Sequence, residues 1–460
     1  MSMKKTKYFG TDGFRGKANE DLTSLHAYKI GRFLGWYYKQ TLNRKPKFVI
    51  GKDTRLSSYM LEYSLVAGLT SSGADAYMLH VTTTPSVSFV IRQDNFDCGI
   101  MITASHNPYF DNGIKILNNN GEKLDDSTTL LIESYIDGDF SALGLSCDIP
   151  FAKGEEIGVI IDYTAGRNRY LGYLISLASH SYKNLRIGLD CANGASWALA
   201  KGVFSALGAN LEIIGAQPNG VNINENCGST HIDSLCKLVK DKKLDLGFAF
   251  DGDCDRCIAV DEKGNVVDGD TMLYILAKRL KDRGFLENNT IVTTVMSNSG
   301  LVDSLEKIGI KCVQTKVGDR FVYDQMQKYD YSLGGEQSGH IIIKKFATTG
   351  DGILTALKIV EETLDRKCSL SQLSSSLCLY PQYIKNVRVK DKNEVLASKD
   401  VLNAKINAEN KLNKKGRVLI RESGTEPVIR VMVESENKNL AIQCAEEIYN
   451  VIIEGGYNIE

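Results

Sequence analysis

One coarse unit recurs three times in this sequence: strand, helix, strand, helix, strand, then a polar loop. In the first copy, residues 48–50 read as a strand, 59–73 as an amphipathic helix and 76–81 as an extended segment. Residues 98–102 then read as a buried strand ending in Thr103-Ala104-Ser105-His106-Asn107-Pro108. The second copy opens with strands at 186–190 and 211–214, and its last strand, 244–250, ends in Asp251-Gly252-Asp253-Cys254-Asp255-Arg256. In the third, strands at 290–295, 311–315 and 331–333 lead into Gly334-Gly335-Glu336-Gln337-Ser338-Gly339-His340. Strands alternating with helices predict βαβ units, in largely parallel sheets covered by helices. In such sheets, ligands gather beyond the carboxyl ends of the strands, where each copy places its most polar loop.

The tail after the third copy differs. Strands at 383–389, 417–421 and 428–433 and helices at 393–412 and 439–453 predict a smaller α+β domain. The expected fold class is therefore α/β: three similar mixed α/β domains plus a C-terminal α+β domain, around one central cleft. Expected boundaries are 1–155 for the serine-loop domain, 156–258 for the acidic-loop domain, 259–373 for the Glu336 loop and 374–460 for the last. At 460 residues the chain is about three times a typical domain of ~150, in keeping with that division.

Composition removes several function classes. Lysine and arginine total 55 against 56 aspartate and glutamate, whereas phosphate neutralisation along a nucleic acid calls for a basic excess. No apolar run reaches the ~18 residues a membrane span needs. The first residues run into Gly10-Thr11-Asp12-Gly13 rather than an apolar stretch, so no signal peptide is expected and the expected location is cytoplasmic. Eleven scattered cysteines read as reduced thiols acting as small hydrophobes. Cys254 and Cys257 have C-x-x-C spacing, but a zinc site needs a second such pair, and there is none.

The acidic loop carries the strongest chemical signal. Asp251, Asp253 and Asp255 alternate just after an apolar strand, and three carboxylates so close are costly unless solvated or neutralised by a cation. Oxygen ligands favour Mg²⁺, Mn²⁺ or Ca²⁺ over zinc. Counted from Asp251, the loop imitates an EF-hand with Glu262 at position 12, but position 6 is Arg256 where glycine is needed. Three ligands leave a small divalent ion short of a fourth oxygen or a substrate phosphate.

In the first loop, Ser105 beside His106 suggests a hydrolase pair, but adjacent residues in an extended segment point to opposite faces. No G-x-S-x-G elbow surrounds Ser105 either. Near a divalent cation, a serine oxygen or its phosphate ester is both nucleophile and metal ligand. Lys115 follows closely as an acid/base or phosphate contact. Glu336, Ser338 and His340 suit the hydroxyls of a sugar, with the imidazole able to move protons. Arg421, Ser423, Gly424, Thr425 and Arg430 form an anion cradle suited to phosphate.

Taken in order, Thr11 to Gly16, Thr103 to Pro108, Asp251 to Arg256, Gly335 to His340 and Arg421 to Pro427 resemble the motifs of the α-D-phosphohexomutase family across essentially the whole chain. Asn222-Ile223-Asn224 followed by Cys227-Gly228-Ser229-Thr230-His231 is similar to a stretch typical of the bacterial branch acting on glucosamine phosphates. Cys254 departs from the family, which usually has glycine or alanine there, and an oxidation-sensitive loop is expected.

The resemblance implies that Ser105 carries the phosphoryl group, with one Mg²⁺ per chain between it and Asp251, Asp253 and Asp255. It implies conversion of D-glucosamine 6-phosphate to D-glucosamine 1-phosphate through a bisphosphorylated sugar, feeding UDP-N-acetylglucosamine synthesis. Arg15, Lys115 and Arg256 would supply positive field and His340 would move protons, while Arg421, Ser423, Gly424, Thr425 and Arg430 would hold the remote phosphate. The expected partner is a small-molecule sugar phosphate, with neither nucleic acid nor membrane, and a homodimer is compatible with the reading. Rival readings are glucose or mannose phosphates as substrate, a non-catalytic sugar-phosphate sensor, and a structural metal module. The last leaves Ser105 and Arg421 unexplained.

Overall fold

Cys98–Ile102 is apolar on both faces, and the chain buries it completely in mid-sheet. A computed structural model describes residues 6–413, 415–422 and 427–459, so the expected phosphate contacts Ser423, Gly424 and Thr425 lie outside the described residues. The chain divides into two units. One holds the chain up to Val295 with Val313–Ser374; the other holds Met296–Cys312 and the chain from Ser375 on.

Three sheets lie in the first unit. The largest runs Phe9–Gly10, Gly13–Lys17, Asp111–Asn118, Cys98–Ile102, Lys47–Lys52, Asp75–Val81, Ile160–Asp162. Lys47–Lys52 pairs in parallel with both Asp75–Val81 and Cys98–Ile102, as βαβ units require. Phe33, Phe48, Ile50, Leu65 and Ile100 form its core against helices Ser24–Leu42 and Leu56–Ser71. The second sheet runs Val266–Val267, Cys257–Asp261, Leu246–Phe250, Arg186–Asp190, Asn210–Ile214. A third carries Thr290–Thr294, Leu333–Gly335 and Ile341–Ile343.

These sheets are mixed, not largely parallel. Each polar loop sits between two antiparallel neighbours: Cys98–Ile102 with Asp111–Asn118, Leu246–Phe250 with Cys257–Asp261, and Leu333–Gly335 with Ile341–Ile343. The loops are short, and a short connection between paired strands permits only the antiparallel return. The functional loops are therefore hairpin tips, with strand pairing fixing both ends.

In the second unit, Gln382–Arg388, Val428–Ser435 and Gly416–Glu422 form an antiparallel sheet. Val387, Ile429, Val431 and Val433 bury one face against Ile448 and Ile452 of helix Lys438–Glu454. The single helix expected over 393–412 is two, Lys392–Ala397 and Lys399–Leu412, because Ser398 leaves helical geometry and its hydroxyl caps the second. Met296–Cys312 belongs here through Glu434, which is fully buried, accepts from Ser299 N and Oγ at 3.0 and 2.8 Å, and pairs with Arg417 at 2.7 Å. All eleven cysteines are free, and of them Cys147 and Cys378 are exposed. Among the described residues, no helix is long and apolar enough to cross a membrane.

Candidate active site

Ser105 occupies the left-handed region at φ +52°, fully buried. A non-glycine residue there costs roughly 1–2 kcal/mol, so surrounding bonds must impose it. They do. The Thr103 hydroxyl accepts the Ser105 N–H at 2.9 Å and donates to Asp53 at 2.7 Å. Arg55, with no exposed surface, donates to the carbonyls of Ser105 and Asn107 at 2.9 Å each and also to that of Pro108. Asn224 donates to the same two carbonyls at 2.9 and 3.0 Å. Asp53 balances the buried guanidinium at 2.9 Å. A buried pair offsets its desolvation only when its remaining donors are satisfied, and the serine loop satisfies them.

The acidic loop lies flat against the serine loop. A side chain at Gly252 would place its Cβ 2.5 Å from the Ser105 carbonyl oxygen, so glycine is required for this approach. Ser105 Oγ donates to Asp251 Oδ2 at 2.5 Å. The Arg256 N–H donates to Asp251 Oδ1 at 3.1 Å, and the Thr84 hydroxyl to Asp253 Oδ2 at 2.5 Å. Lys115 Nζ stands 2.8 Å from Asp253, 3.0 Å from Asp255 and 3.1 Å from Asp12.

Charge crowding shapes the protonation of this cluster. Burial, then Asp255 and Asp253, hold the Asp251 carboxyl well above the usual range. Burial works the same way on Asp255, but Lys115, His340 and Arg256 outweigh it and hold that carboxyl low. For Lys115, burial opposes the ammonium while Asp12, Asp253 and Asp255 more than offset it. The three carboxylates thus favour the charged form of Lys115.

The residues fit a small divalent cation. Ligand oxygens of Asp251, Asp253 and Asp255 all lie within 4.8 Å of one another, and all three side chains are buried. Asp253 Oδ1 and Asp255 Oδ1 are buried with no hydrogen bond, an expensive state for carboxylate oxygens. An all-oxygen set with Ser105 alongside is the donor chemistry of a hard ion.

His340 closes the cluster. The Arg256–His340 bridge and the Cys257 N–H to Gly339 carbonyl bond, 3.0 Å, join its hairpin to the acidic one. Its Nδ1 lies 3.7 Å from Asp255 and its Nε2 3.7 Å from Asp319. Burial opposes the imidazolium, but Asp255, Asp319 and Glu336 push it up to about 9. Nε2 nevertheless accepts the Gly350 N–H at 3.0 Å, a bond only an unprotonated nitrogen makes.

Two sequence expectations need correction. Ser105 and His106 do not point apart: Ser105 is left-handed, not extended, and its Oγ comes to 3.5 Å from His106 Nδ1. Burial, aided by Arg256 and Arg15, pushes the His106 ring down to about 4. Cys254 is not oxidation-prone: it is fully buried at φ +62°, and burial holds its thiol well above the ordinary value. The thiolate is the oxidisable form, and here it is suppressed.

Ser105, Lys115, Asp251, Asp253, Asp255, Arg256 and His340 therefore come together in the first unit, with Arg15 reaching them through Asp12. Glu336 shares the His340 hairpin and accepts the Gly318 N–H at 3.2 Å, while Ser338 is exposed. In the second unit, Arg421 and Arg430 stand directly opposite each other across two antiparallel strands. Sequence reasoning assigned no role to Asp12, Asp53, Arg55, Thr84, Lys123, Asn224 or Asp319. The polar run Asp53-Thr54-Arg55 directly follows strand Lys47–Lys52, a signal of the kind used for the other loops. Lys123, 2.8 Å from Asp12 and 2.7 Å from Asp319, had none.

Comparison with known families matches the chain in four consecutive stretches. Residues 6–142, 168–264 and 268–380 match Phosphoglucomutase/phosphomannomutase alpha/beta/alpha domains I, II and III, and 384–451 the C-terminal domain. The chain is 57% identical over 454 residues to "Phosphoglucosamine mutase" of Lachnospira eligens, covering 98% of this chain and 100% of that one. It is 46% identical over 446 residues to the protein of that name in Bacillus subtilis, covering 97% and 98%. Among solved structures, it superimposes on a phosphoglucomutase/phosphomannomutase family protein from Burkholderia thailandensis with a TM-score of 0.80 at 22% identity, covering 98% of each chain. Aspergillus fumigatus N-acetylphosphoglucosamine mutase, solved with GlcNAc-6P and magnesium, gives 0.65 at 17% identity, covering 98% and 96%.

Proposed function

Since this chain belongs to the phosphoglucomutase/phosphomannomutase family, we propose that it is an isomerase interconverting D-glucosamine 6-phosphate and D-glucosamine 1-phosphate. The observation that carries the mechanism is the placement of Ser105 Oγ against Asp251, beside Asp253 and Asp255. The two relatives named phosphoglucosamine mutase support the amino sugar as substrate. Within this reading the chain divides at 155, 258 and 373, works in the cytoplasm, and supplies a precursor of UDP-N-acetylglucosamine.

Ser105 is the phosphoryl carrier. Its phosphoester P–O bond breaks as a bond forms to the sugar hydroxyl oxygen, whose proton passes to His340. The departing Ser105 Oγ takes up the proton of the Asp251 carboxyl beside it. The bisphosphorylated sugar turns over, and Ser105 takes back the other phosphate by the reverse proton movements. The left-handed backbone imposed by Arg55, Asn224 and Thr103 aims the oxygen at the transfer site, and such transfer depends mainly on positioning and charge neutralisation. Lys115, Arg256 and Arg15 supply fixed positive charge. Asp251, Asp253, Asp255 and the Ser105 oxygen would hold Mg²⁺, which supplies further neutralisation of developing phosphoryl charge. Glu336 and Ser338 bind sugar hydroxyls; Arg421, Ser423, Gly424, Thr425 and Arg430 hold the non-reacting phosphate. The deciding experiment measures kcat/KM on glucosamine, glucose and mannose 6-phosphates beside intact mass before and after phosphatase. The reading requires a phosphatase-sensitive mass and preference for the amino sugar; equal rates on glucose 6-phosphate would reassign the substrate.

A further inference from the structure

A second cavity, of about 520 Å³, shares no residue with the Ser105 cluster. It lies among helix Gly269–Asp282, the residues after strand Ile341–Ile343, and helix Gly352–Arg366. That volume is in the ~300–1,000 Å³ range of small-molecule sites. Two features of its lining define what it would accept.

The first is aromatic. Phe285 is 57% exposed, a large apolar face left to water, and Phe346 is half-buried nearby. The Lys345 ammonium lies 4.8 Å from the Phe285 ring centre and 5.7 Å from that of Phe346; the Lys358 ammonium lies 4.7 Å from Phe346. The second is an excess of cations: five lysines and arginines line it against Glu287 and Asp330, and Asp330 pairs with Lys344 at 2.6 Å. Arg279 is neutralised by Glu362 and Asp365, and Arg283 by Asp365. Among the described residues, neither Lys345 nor Lys358 has a carboxylate within 4.0 Å; Lys358 donates instead to the Leu177 carbonyl at 2.9 Å. Burial pushes the Lys358 ammonium down to about 8, and Arg279, Arg283 and Lys345 add to this against Glu361. A positive field short of counter-charge is what an anionic ligand relieves.

We propose that this cavity binds a nucleoside phosphate, the base on Phe285 and Phe346 and the phosphates on Lys345 and Lys358. Inorganic phosphate makes no use of the exposed Phe285 ring, and a neutral ring brings no counter-charge to the two ammonium groups. A molecule joining a flat ring to phosphate meets both needs. Its occupant would sit at the end of strand Ile341–Ile343 remote from His340.

Calorimetric titration of the full chain with ADP tests this, with pyrophosphate and adenosine as half-ligands. ADP should bind, and each half-ligand about tenfold or more weaker. Phe285→Ala and Lys345→Glu, both at exposed positions, should each weaken ADP about tenfold while turnover on glucosamine 6-phosphate without nucleotide stays unchanged. Absence of ADP binding at about 1 mM overturns the proposal. So does pyrophosphate matching ADP, or ADP affinity unmoved by both substitutions, which would place the nucleotide elsewhere.

Discussion

Ser105 and Asp251 are separated by 146 positions in the chain, yet the serine hydroxyl donates to the carboxylate at 2.5 Å. Two different hairpins meet at that bond. If Ser105 carries the phosphoryl group, Ser105→Ala should abolish mutase turnover and the phosphatase-sensitive mass together. Thermal stability should stay close to wild type, because the clamp on this loop grips its backbone and not its side chain. Retained turnover would remove Ser105 from the mechanism.

Metal removal should be reversible. EDTA should stop turnover and Mg²⁺ restore it. Asp253→Asn should raise the Mg²⁺ concentration needed for half-maximal rate, since one charged ligand is lost. Lys115 occupies the neighbourhood of the same carboxylates, so the fold should survive chelation, with circular dichroism unchanged.

Arg55 offers a test of positioning. Arg55→Lys keeps the charge next to Asp53 but cannot reproduce a planar fork reaching three carbonyls. We expect kcat to fall by about a hundredfold, as for a misplaced reacting group, with KM changed little. Arg55→Ala should instead cost about 3–5 kcal/mol in denaturant unfolding, because Asp53 is left buried and unpaired.

Arg421 and Arg430 stand opposite each other across paired strands, an arrangement that suits a shared anion. Arg421→Lys should raise KM for glucosamine 6-phosphate at least tenfold, since lysine is not a bidentate replacement. Unchanged KM would make this loop an ordinary hairpin.

Asp351 gives stability a pH signature. It caps helix Gly352–Arg366 and accepts from Tyr170 at 2.7 Å, and burial raises its carboxyl to about 6. The folded state therefore binds the extra proton between about 6 and the ordinary 3.8, so stability from this group grows as pH falls through that window and is lost as pH rises. Asp351→Asn mimics the protonated form. Its melting temperature relative to wild type should be highest near neutral pH and should decline between pH 6 and 4; a difference flat in pH would refute the assignment.

The hairpin loops were legible because their chemistry is local: three alternating aspartates or a Gly-flanked Glu-x-Ser-x-His stand out in a few residues. The strands beside them were legible because residues such as 98–102 and 246–250 are uninterrupted apolar runs. The antiparallel return Asp111–Asn118 was not, since it begins with polar residues that read as loop. Arg55 and Asn224 escaped for another reason. Their partners are backbone carbonyls of a loop 50 and 119 positions away, and main-chain acceptors leave no mark in sequence. Lys123 and Asp319 are likewise ordinary surface residues until the fold brings them together.

The two exposed thiols fall one to each unit: Cys147 in the first, Cys378 in the second. Accessible thiols react with maleimides well before buried ones. The native chain thus arrives with a pair of attachment points for a donor and an acceptor dye, and Cys254 beside the aspartates stays shielded. Energy transfer between them would follow any movement of one unit against the other during turnover, in a protein with no engineered residue at all.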